Sequence, residues 1–242
     1  MNVSCNKVLI TGGSSGIGLA LAIKLKSLNN YVIITGRDRA KLEKMAYQYK
    51  LDTYQCDLAD QCGVQSLIKA VHDQHPDINI IINNAGMQCN YDFINNVSFE
   101  KIEYEVEVNF NAVAKLSSAF LPMLLGNKEA AIVNVSSGLA LSPKKSAPVY
   151  CATKAGVHMF TKALRYQMEG TNVKVFEVLP PMVDTPMTAG NGKDKISPEA
   201  VAEEFILGFE KNKFEINIGK VKLLKMIHRI SPVIADSILK NN

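Results

Sequence analysis

The apolar run Lys7-Val-Leu-Ile-Thr11 passes directly into Gly12-Gly-Ser-Ser-Gly-Ile-Gly18, and then into a segment carrying Leu19, Ala20, Leu21, Ala22, Leu25 and Leu28. No other stretch restricts the fold as strongly. A short apolar run ended by turn formers reads as a buried strand, and apolar residues at helical spacing read as a helix face. A strand that turns straight into a helix is carried back along the sheet, so the next strand lies parallel to it. One such unit already points to a parallel sheet covered by helices.

The pattern recurs along the chain. Strands are expected at Tyr31–Thr35, Asp52–Cys56, Ile78–Ile82, Ala130–Val135, Val173–Leu179 and Phe214–Ile218. Helices are expected over Arg37–Tyr49 and Val64–His75, with Pro76 as a stop. A loop through Asn96 leads to a long helix from near Ser98, past Asn109, towards Leu125-Gly126. Another helix holds Tyr150 and Lys154 and continues to about Glu169, and a further one starts with Ser197 as N-cap and Pro198 at its first position. No linker or internal repeat interrupts the alternation, and 242 residues suit one large α/β domain. The expected fold is therefore α/β, a doubly wound and mostly parallel Rossmann-type sheet in a single domain over residues 1–242.

In such sheets ligands bind beyond the carboxyl ends of the strands. The residues that end the strands are Gly12–Gly18, Asp57, Asn83–Gly86, Ser136–Ser137 and Pro180–Thr185, and they should meet along one edge. Within the glycine turn, Gly12 permits a tight bend, Gly16 lets backbone amides approach an anion, and Gly18 lets the helix pack on the sheet. The helix N-terminus adds partial positive charge, which suits the pyrophosphate of a dinucleotide. The second strand ends in Thr35-Gly36-Arg37-Asp38-Arg39, without the acid that would hold free ribose hydroxyls. Arg37 can pair with a 2′-phosphate through two hydrogen bonds, so NADP(H) is expected over NAD(H). Asp38 also reads as a plain helix cap.

Tyr150 and Lys154 stand four apart and share a helical face. A lysine ammonium beside a phenol lowers the phenol pKa from about 10, and the expected result is a proton donor and acceptor usable near neutral pH.

Composition removes several other classes. Five cysteines (Cys5, Cys56, Cys62, Cys89, Cys151) form an odd set without paired spacing, which suits free thiols in a reducing cytoplasm. His72, His75, His158 and His228 are isolated and show no metal-ligand pattern. No continuous apolar run reaches the roughly 20 residues of a bilayer span. A net charge of +4 is too mild to demand nucleic acid.

Taken in order from Lys7 to about Pro186, these motifs resemble the short-chain dehydrogenase/reductase family in its short form. Thr11-Gly-Gly-Ser-Ser-Gly-Ile-Gly18 looks like its nucleotide loop, and Asn83-Asn-Ala-Gly86 like its strand-four motif. The resemblance implies hydride transfer between a nicotinamide and a carbonyl or alcohol, with Asn109, Ser137, Tyr150 and Lys154 as the catalytic set. Tyr150 would be general acid or base, and Lys154 would lower its pKa and hold the nicotinamide ribose. Ser137 would hydrogen-bond the substrate oxygen, and Asn109 would support a water linking Lys154 to solvent. Gly12, Ser14, Ser15, Gly16, Ile17, Gly18, Arg37, Asp57, Leu58, Asn84, Ala85, Gly86, Tyr150, Lys154, Pro180, Val183 and Thr185 would hold the cofactor, Asp57 on the adenine amino group and Thr185 on the carboxamide. A homodimer or homotetramer is implied as well. Where the family usually has Pro-Gly after strand six, this chain has Pro180-Pro181-Met-Val-Asp-Thr185, similar to DltE-type members linked to D-alanylation of teichoic acids.

Two segments remain. The polar stretch of about 185–198, with Ala189-Gly-Asn-Gly-Lys-Asp-Lys195 at its centre, reads as a substrate lid, and Met87, Leu139, Met182, Val183 and Met187 read as an apolar pocket lining. The basic tail of about 220–242 places Leu223, Ile227, Ile230, Ile234 and Ile238 at helical spacing beside Lys222, Lys225 and Arg229, with Pro232 dividing it. That pattern fits a peripheral contact with the inner membrane surface or packing on a partner subunit. Besides an oxidoreductase, a non-catalytic NADP sensor or scaffold and an envelope-associated oxidoreductase remain open.

Overall fold

The computed structural model describes every residue except Asn96, Asn191, Lys193 and Asn242, so those parts of the expected loop, lid and tail lie outside the described residues. Seven strands form one sheet in the order β3-β2-β1-β4-β5-β6-β7, and every neighbouring pair is parallel. The strands are β1 (Lys7–Ile10), β2 (Tyr31–Gly36), β3 (Asp52–Gln55), β4 (Ile80–Asn83), β5 (Ala130–Val135), β6 (Val173–Leu179) and β7 (Glu215–Asn217). Between them run α1 (Gly16–Ser27), α2 (Arg39–Tyr49), α3 (Gln61–Gln74), α4 (Phe99–Val106), α5 (Ala112–Leu125), α6 (Pro148–Gln167) and α7 (Pro198–Glu210). The tail adds α8 (Val221–Ile230) and α9 (Pro232–Leu239).

Successive strand side chains point to opposite faces, and the core divides accordingly. Val8, Ile10, Val32, Ile34, Ile80 and Ile82 pack with α1, α2 and α7. Leu9, Ile33, Ile81 and Ile132 pack with α3, α5 and α6. A strand buried on both faces needs the near-continuous apolar composition of Ala130–Val135, all of which is buried.

Helix starts follow local chemistry. Asp38 caps α2 by accepting from the Lys41 amide, Asp60 caps α3, and Ser98 and Ser197 cap α4 and α7. Arg37 therefore precedes its helix and is left free of it. The helix expected from Val64 begins earlier, at Gln61, because Asp60 satisfies two of its first amides.

The helical segment Phe99–Leu125, 27 residues in all, is long and apolar enough by length and composition to cross a membrane, while its charged residues leave no continuous apolar run, as expected. Here its second half is a core helix: Ala112, Leu116, Phe120 and Leu124 form a row against the sheet. A π-helical turn at Glu107–Asn111 separates α4 from α5. Such turns insert one residue into a helix and cluster at functional sites. This one carries Asn109.

Candidate active site

The order of the strands reverses between β1 and β4, and a cleft of about 990 Å³ opens beyond their carboxyl ends. Gly12, Ser14, Ser15, Gly16, Ile17, Arg37, Asp57, Leu58, Asn84, Ala85, Gly86, Ser137, Tyr150, Lys154, Pro180, Val183 and Thr185 all line it. Of the expected set, Gly18 and Asn109 stand behind the surface.

The glycine turn is a cradle that side chains would fill. Gly12 sits at φ +65 and Gly16 at φ +53, and added Cβ atoms would lie 2.9 Å from the Ala85 Cα and from the Thr185 Cγ2. Ser15, at the N-cap of α1, makes no side-chain cap, so its hydroxyl leaves the first amides of the helix uncovered. They face the cleft as anion donors. Gly18 supports the turn from below, since a Cβ there would lie 2.4 Å from the Gly12 carbonyl oxygen. Asn84 braces the same turn: its amide nitrogen donates to the Thr11 carbonyl at 2.9 Å, and its backbone N–H donates to Thr11 Oγ1 at 3.0 Å.

One end of the cleft holds Arg37 and Asp57. The sequence reading missed the residue between them. Tyr104, on α4, donates to both carboxylate oxygens of Asp57 at 2.8 and 3.0 Å and accepts from Arg37 Nη1 at 2.5 Å.

At the other end, Tyr150 and Lys154 lie on one face of α6, with Lys154 Nζ 5.7 Å from the centre of the Tyr150 ring. Lys154 is 4% exposed and donates to the Val135 carbonyl at 2.8 Å. Burial holds its pKa down at about 8, against a smaller upward pull from Glu177. Burial also pushes the Tyr150 phenol up to about 12, while a hydrogen bond with Ser137 pulls it back. The sequence reading expects a lowered phenol. With the protein groups alone, desolvation wins, because the lysine charge is tied to a backbone carbonyl and is itself disfavoured by burial.

Ser137 lies two residues past β5 and starts a 3₁₀ turn at Gly138–Ala140, where its Oγ accepts from the Leu139 amide at 3.1 Å. Asn109 is fully buried. Its Nδ2 donates to the Met87 carbonyl at 2.8 Å and to Thr153 Oγ1 at 3.2 Å, and its Oδ1 accepts from the Met87 amide at 2.8 Å. It thereby ties the loop after β4 to α6. A Cβ placed on Gly86 would lie 3.4 Å from Asn109 Oδ1 and 3.5 Å from Lys154 Nζ, so both polar groups meet at that glycine.

A third residue continues the stripe. His158 stands four beyond Lys154 and pairs through Nδ1 with Glu177 at 2.8 Å. Glu177 is 1% exposed and also accepts from Ser136 Oγ. The hydrogen bond to Glu177 raises the His158 pKa. His158 looks isolated in the sequence because its partner is on a strand 19 positions away.

The segment after β6 is pinned at its base. Val183 pairs with Ile196, and the Asp184 amide donates to the Ile196 carbonyl at 2.9 Å. Thr185 starts a 3₁₀ turn at Pro186–Thr188. Met87, Leu139, Met182, Val183 and Met187 all line the cleft as the sequence suggests.

The tail is helical on both sides of Pro232, as expected. It folds back over the cleft, where Val221, Leu223, Leu224, Ile227 and Leu239 add an apolar wall. Ser142 donates to Asp236, and the Lys145 amide donates to the Lys240 carbonyl at 2.9 Å. The break at Ser231–Pro232 divides the expected apolar stripe. Val221, Leu224 and Ala235 are the buried residues, whereas Leu223, Ile230 and Ile234 are 60%, 84% and 54% exposed. Lys222 and Lys225 pair with Glu204 and Glu215 of this same chain.

Residues 6–196 match the model of the short chain dehydrogenase family. The chain is 42% identical over 234 residues to the oxidoreductase DltE of Bacillus subtilis (strain 168), covering 93% of this chain and 92% of that protein. Its fold is similar to that of a short chain dehydrogenase from Burkholderia cenocepacia J2315 in complex with NADP, with a TM-score of 0.88, 23% identity and full coverage of both chains. A short chain dehydrogenase/reductase from Burkholderia phymatum in complex with NAD gives a TM-score of 0.87 at 21% identity, covering 100% of this chain and 97% of that one. The ordered strand-end motifs, the single parallel sheet and the extent of the match converge: the chain belongs to the short-chain dehydrogenase/reductase family of oxidoreductases and is DltE-like.

Proposed function

We infer that this oxidoreductase uses NADP(H) to reduce the carbonyl group of an apolar substrate, with Tyr150 as the proton donor. The observation that carries this reading is the convergence of Ser137, Tyr150 and Lys154 at one end of a cleft whose other end presents Arg37. A dinucleotide fits the residues present: an open helix start and a glycine cradle lie between the two ends, and Arg37 supplies a fork for a 2′-phosphate. When bound, the nicotinamide supplies or accepts the hydride.

The protein supplies orientation and the proton. Ser137 and Tyr150 offer hydroxyls to one substrate oxygen, where negative charge develops as the carbonyl is reduced. A phenol raised to about 12 holds its proton at neutral pH, as the acid role requires. Lys154 brings positive charge to the phenol, and Asn109 holds the loop that faces both.

The wall formed by Leu139, Met182, Met187, Leu224 and Ile227 selects an apolar body next to the reacting carbon. Ile227→Asp should raise the KM of an apolar ketone about tenfold by replacing apolar contact with a charge, while the NADPH Kd stays unchanged. An unaltered KM would remove the tail from the substrate site.

Steady-state oxidation of NADPH and NADH with a panel of aldehydes and ketones tests the reading. Turnover with a preference for NADPH is expected. Tight NADPH binding without turnover across the panel would favour a sensor or scaffold instead.

A further inference from the structure

We propose that Tyr104 is a positioning residue that sets the preference for a 2′-phosphorylated cofactor, by fixing the Arg37 guanidinium against Asp57. This rests on the reading of Arg37 as the 2′-phosphate partner.

Arg37 is exposed and lies just before α2, whose first turn is capped by Asp38 rather than by Arg37. Its backbone carbonyl is held by Gln55 Nε2 at 3.0 Å. Its guanidinium has a long, flexible stem and, among the described residues, one hydrogen-bond partner, the Tyr104 hydroxyl at 2.5 Å. The guanidinium carbon also lies 5.8 Å from the centre of the Tyr104 ring. An exposed arginine without such a partner samples many rotamers, and ordering it on binding costs affinity. Tethered through Nη1, it keeps Nε and Nη2 for an incoming phosphate.

The same hydroxyl fixes the other reader. Asp57 accepts from Tyr104 with both oxygens and from the Ala59 amide at 3.0 Å. The phenol therefore donates to the carboxylate and accepts from the guanidinium. Burial and the Asp57 hydrogen bond raise its pKa, which keeps the proton on oxygen for that task. One hydroxyl joins the group facing the adenine to the group facing the 2′-phosphate. Tyr104 lies five positions before Asn109, on the helix whose π-turn places Asn109 between Met87 and Thr153. A single helix thus supports both ends of the cleft.

The test is a set of binding titrations, read by dihydronicotinamide fluorescence, on wild type, Tyr104→Phe, Arg37→Ala and the double variant. Phenylalanine keeps the ring and removes only the hydroxyl. Loss of a hydrogen bond to a charged group should weaken NADPH about tenfold in Tyr104→Phe. NADH, which engages only the Asp57 side, should weaken about twofold to threefold. Arg37→Ala should abolish the preference, and in that background Tyr104→Phe should change NADPH and NADH by the same factor. Competition by 2′,5′-ADP and by 5′-AMP repeats the comparison without the nicotinamide half.

Equal weakening of NADPH and NADH by Tyr104→Phe in the wild-type background would overturn the assignment, as would no weakening of either. If Arg37→Ala leaves the preference intact, the 2′-phosphate reading fails and takes this inference with it. If Arg37→Ala removes the preference and Tyr104→Phe does not touch it, only the positioning role fails.

Discussion

Tyr150→Phe should lower kcat about a thousandfold while NADPH binds within about twofold of wild type, the loss expected when a positioned general acid is removed. The change deletes one oxygen. Lys154 keeps its bond to the Val135 carbonyl, Asn109 keeps Met87 and Thr153, and the glycine turn keeps its close approach to Ala85 and Thr185. Ser137 still caps its turn through the Leu139 amide, so the oxygen-binding corner remains formed. What disappears is the proton aimed at the substrate oxygen and one hydrogen bond to developing charge. Paired measurements of single-turnover NADPH oxidation and of NADPH Kd separate the two roles. A rate within tenfold of wild type would mean that another group supplies the proton, and the assignment of Tyr150 would fall.

The parts of this site that could be read from the sequence are those whose meaning is local. Gly12, Gly16 and Gly18 follow from the geometry of one turn, and Asp38 and Ser197 from the amides they cap. The meeting of strand ends follows from parallel topology, since every βα turn in such a sheet opens on the same edge. Tyr104 could not be read in that way. Its partners stand 67 and 47 positions away, and a tyrosine on an amphipathic helix carries no sign of a distant carboxylate. Glu177 is hidden differently, in a mostly apolar strand, where only the fold brings His158 and Ser136 to it. In the tail the residues of the stripe stay exposed or half-buried on both sides of Pro232, and the inward packing of Val221, Leu224 and Ala235 beside them follows from the fold, which no spacing encodes. For Tyr150 the spacing to Lys154 was right and the sign of the shift was not. Spacing fixes proximity, whereas the pKa depends on burial, which no spacing encodes.

That burial has a consequence for stability. Lys154→Met should stabilise the protein at pH 7, measured without added cofactor, by about 1–3 kcal/mol, while abolishing turnover. The ammonium is 4% exposed, and its pKa falls from 10.5 to about 8 on folding. A difference of that size corresponds to about 3 kcal/mol of disfavour for the charged form. Below pH 8 the lysine is charged in both states and the full cost is present. Between pH 8 and 10.5 the unfolded chain binds more protons than the folded one, so wild-type stability rises with pH and the advantage of methionine shrinks. Tyr150 acts in the opposite sense, but only above pH 10, where the unfolded phenol starts to ionise before the folded one does at about 12. Urea unfolding at pH 7 and pH 9.5 therefore isolates the lysine. Methionine matches the stem in length and fills the same space, although it leaves the Val135 carbonyl without its donor, which trims the gain. A variant less stable than wild type at pH 7, with a difference that does not move by pH 9.5, would show that the ammonium is not penalised by burial. The expected result instead makes Lys154 a charge retained against the stability of the fold. Such a cost is reasonable at a functional site, where a buried cation is needed beside the phenol.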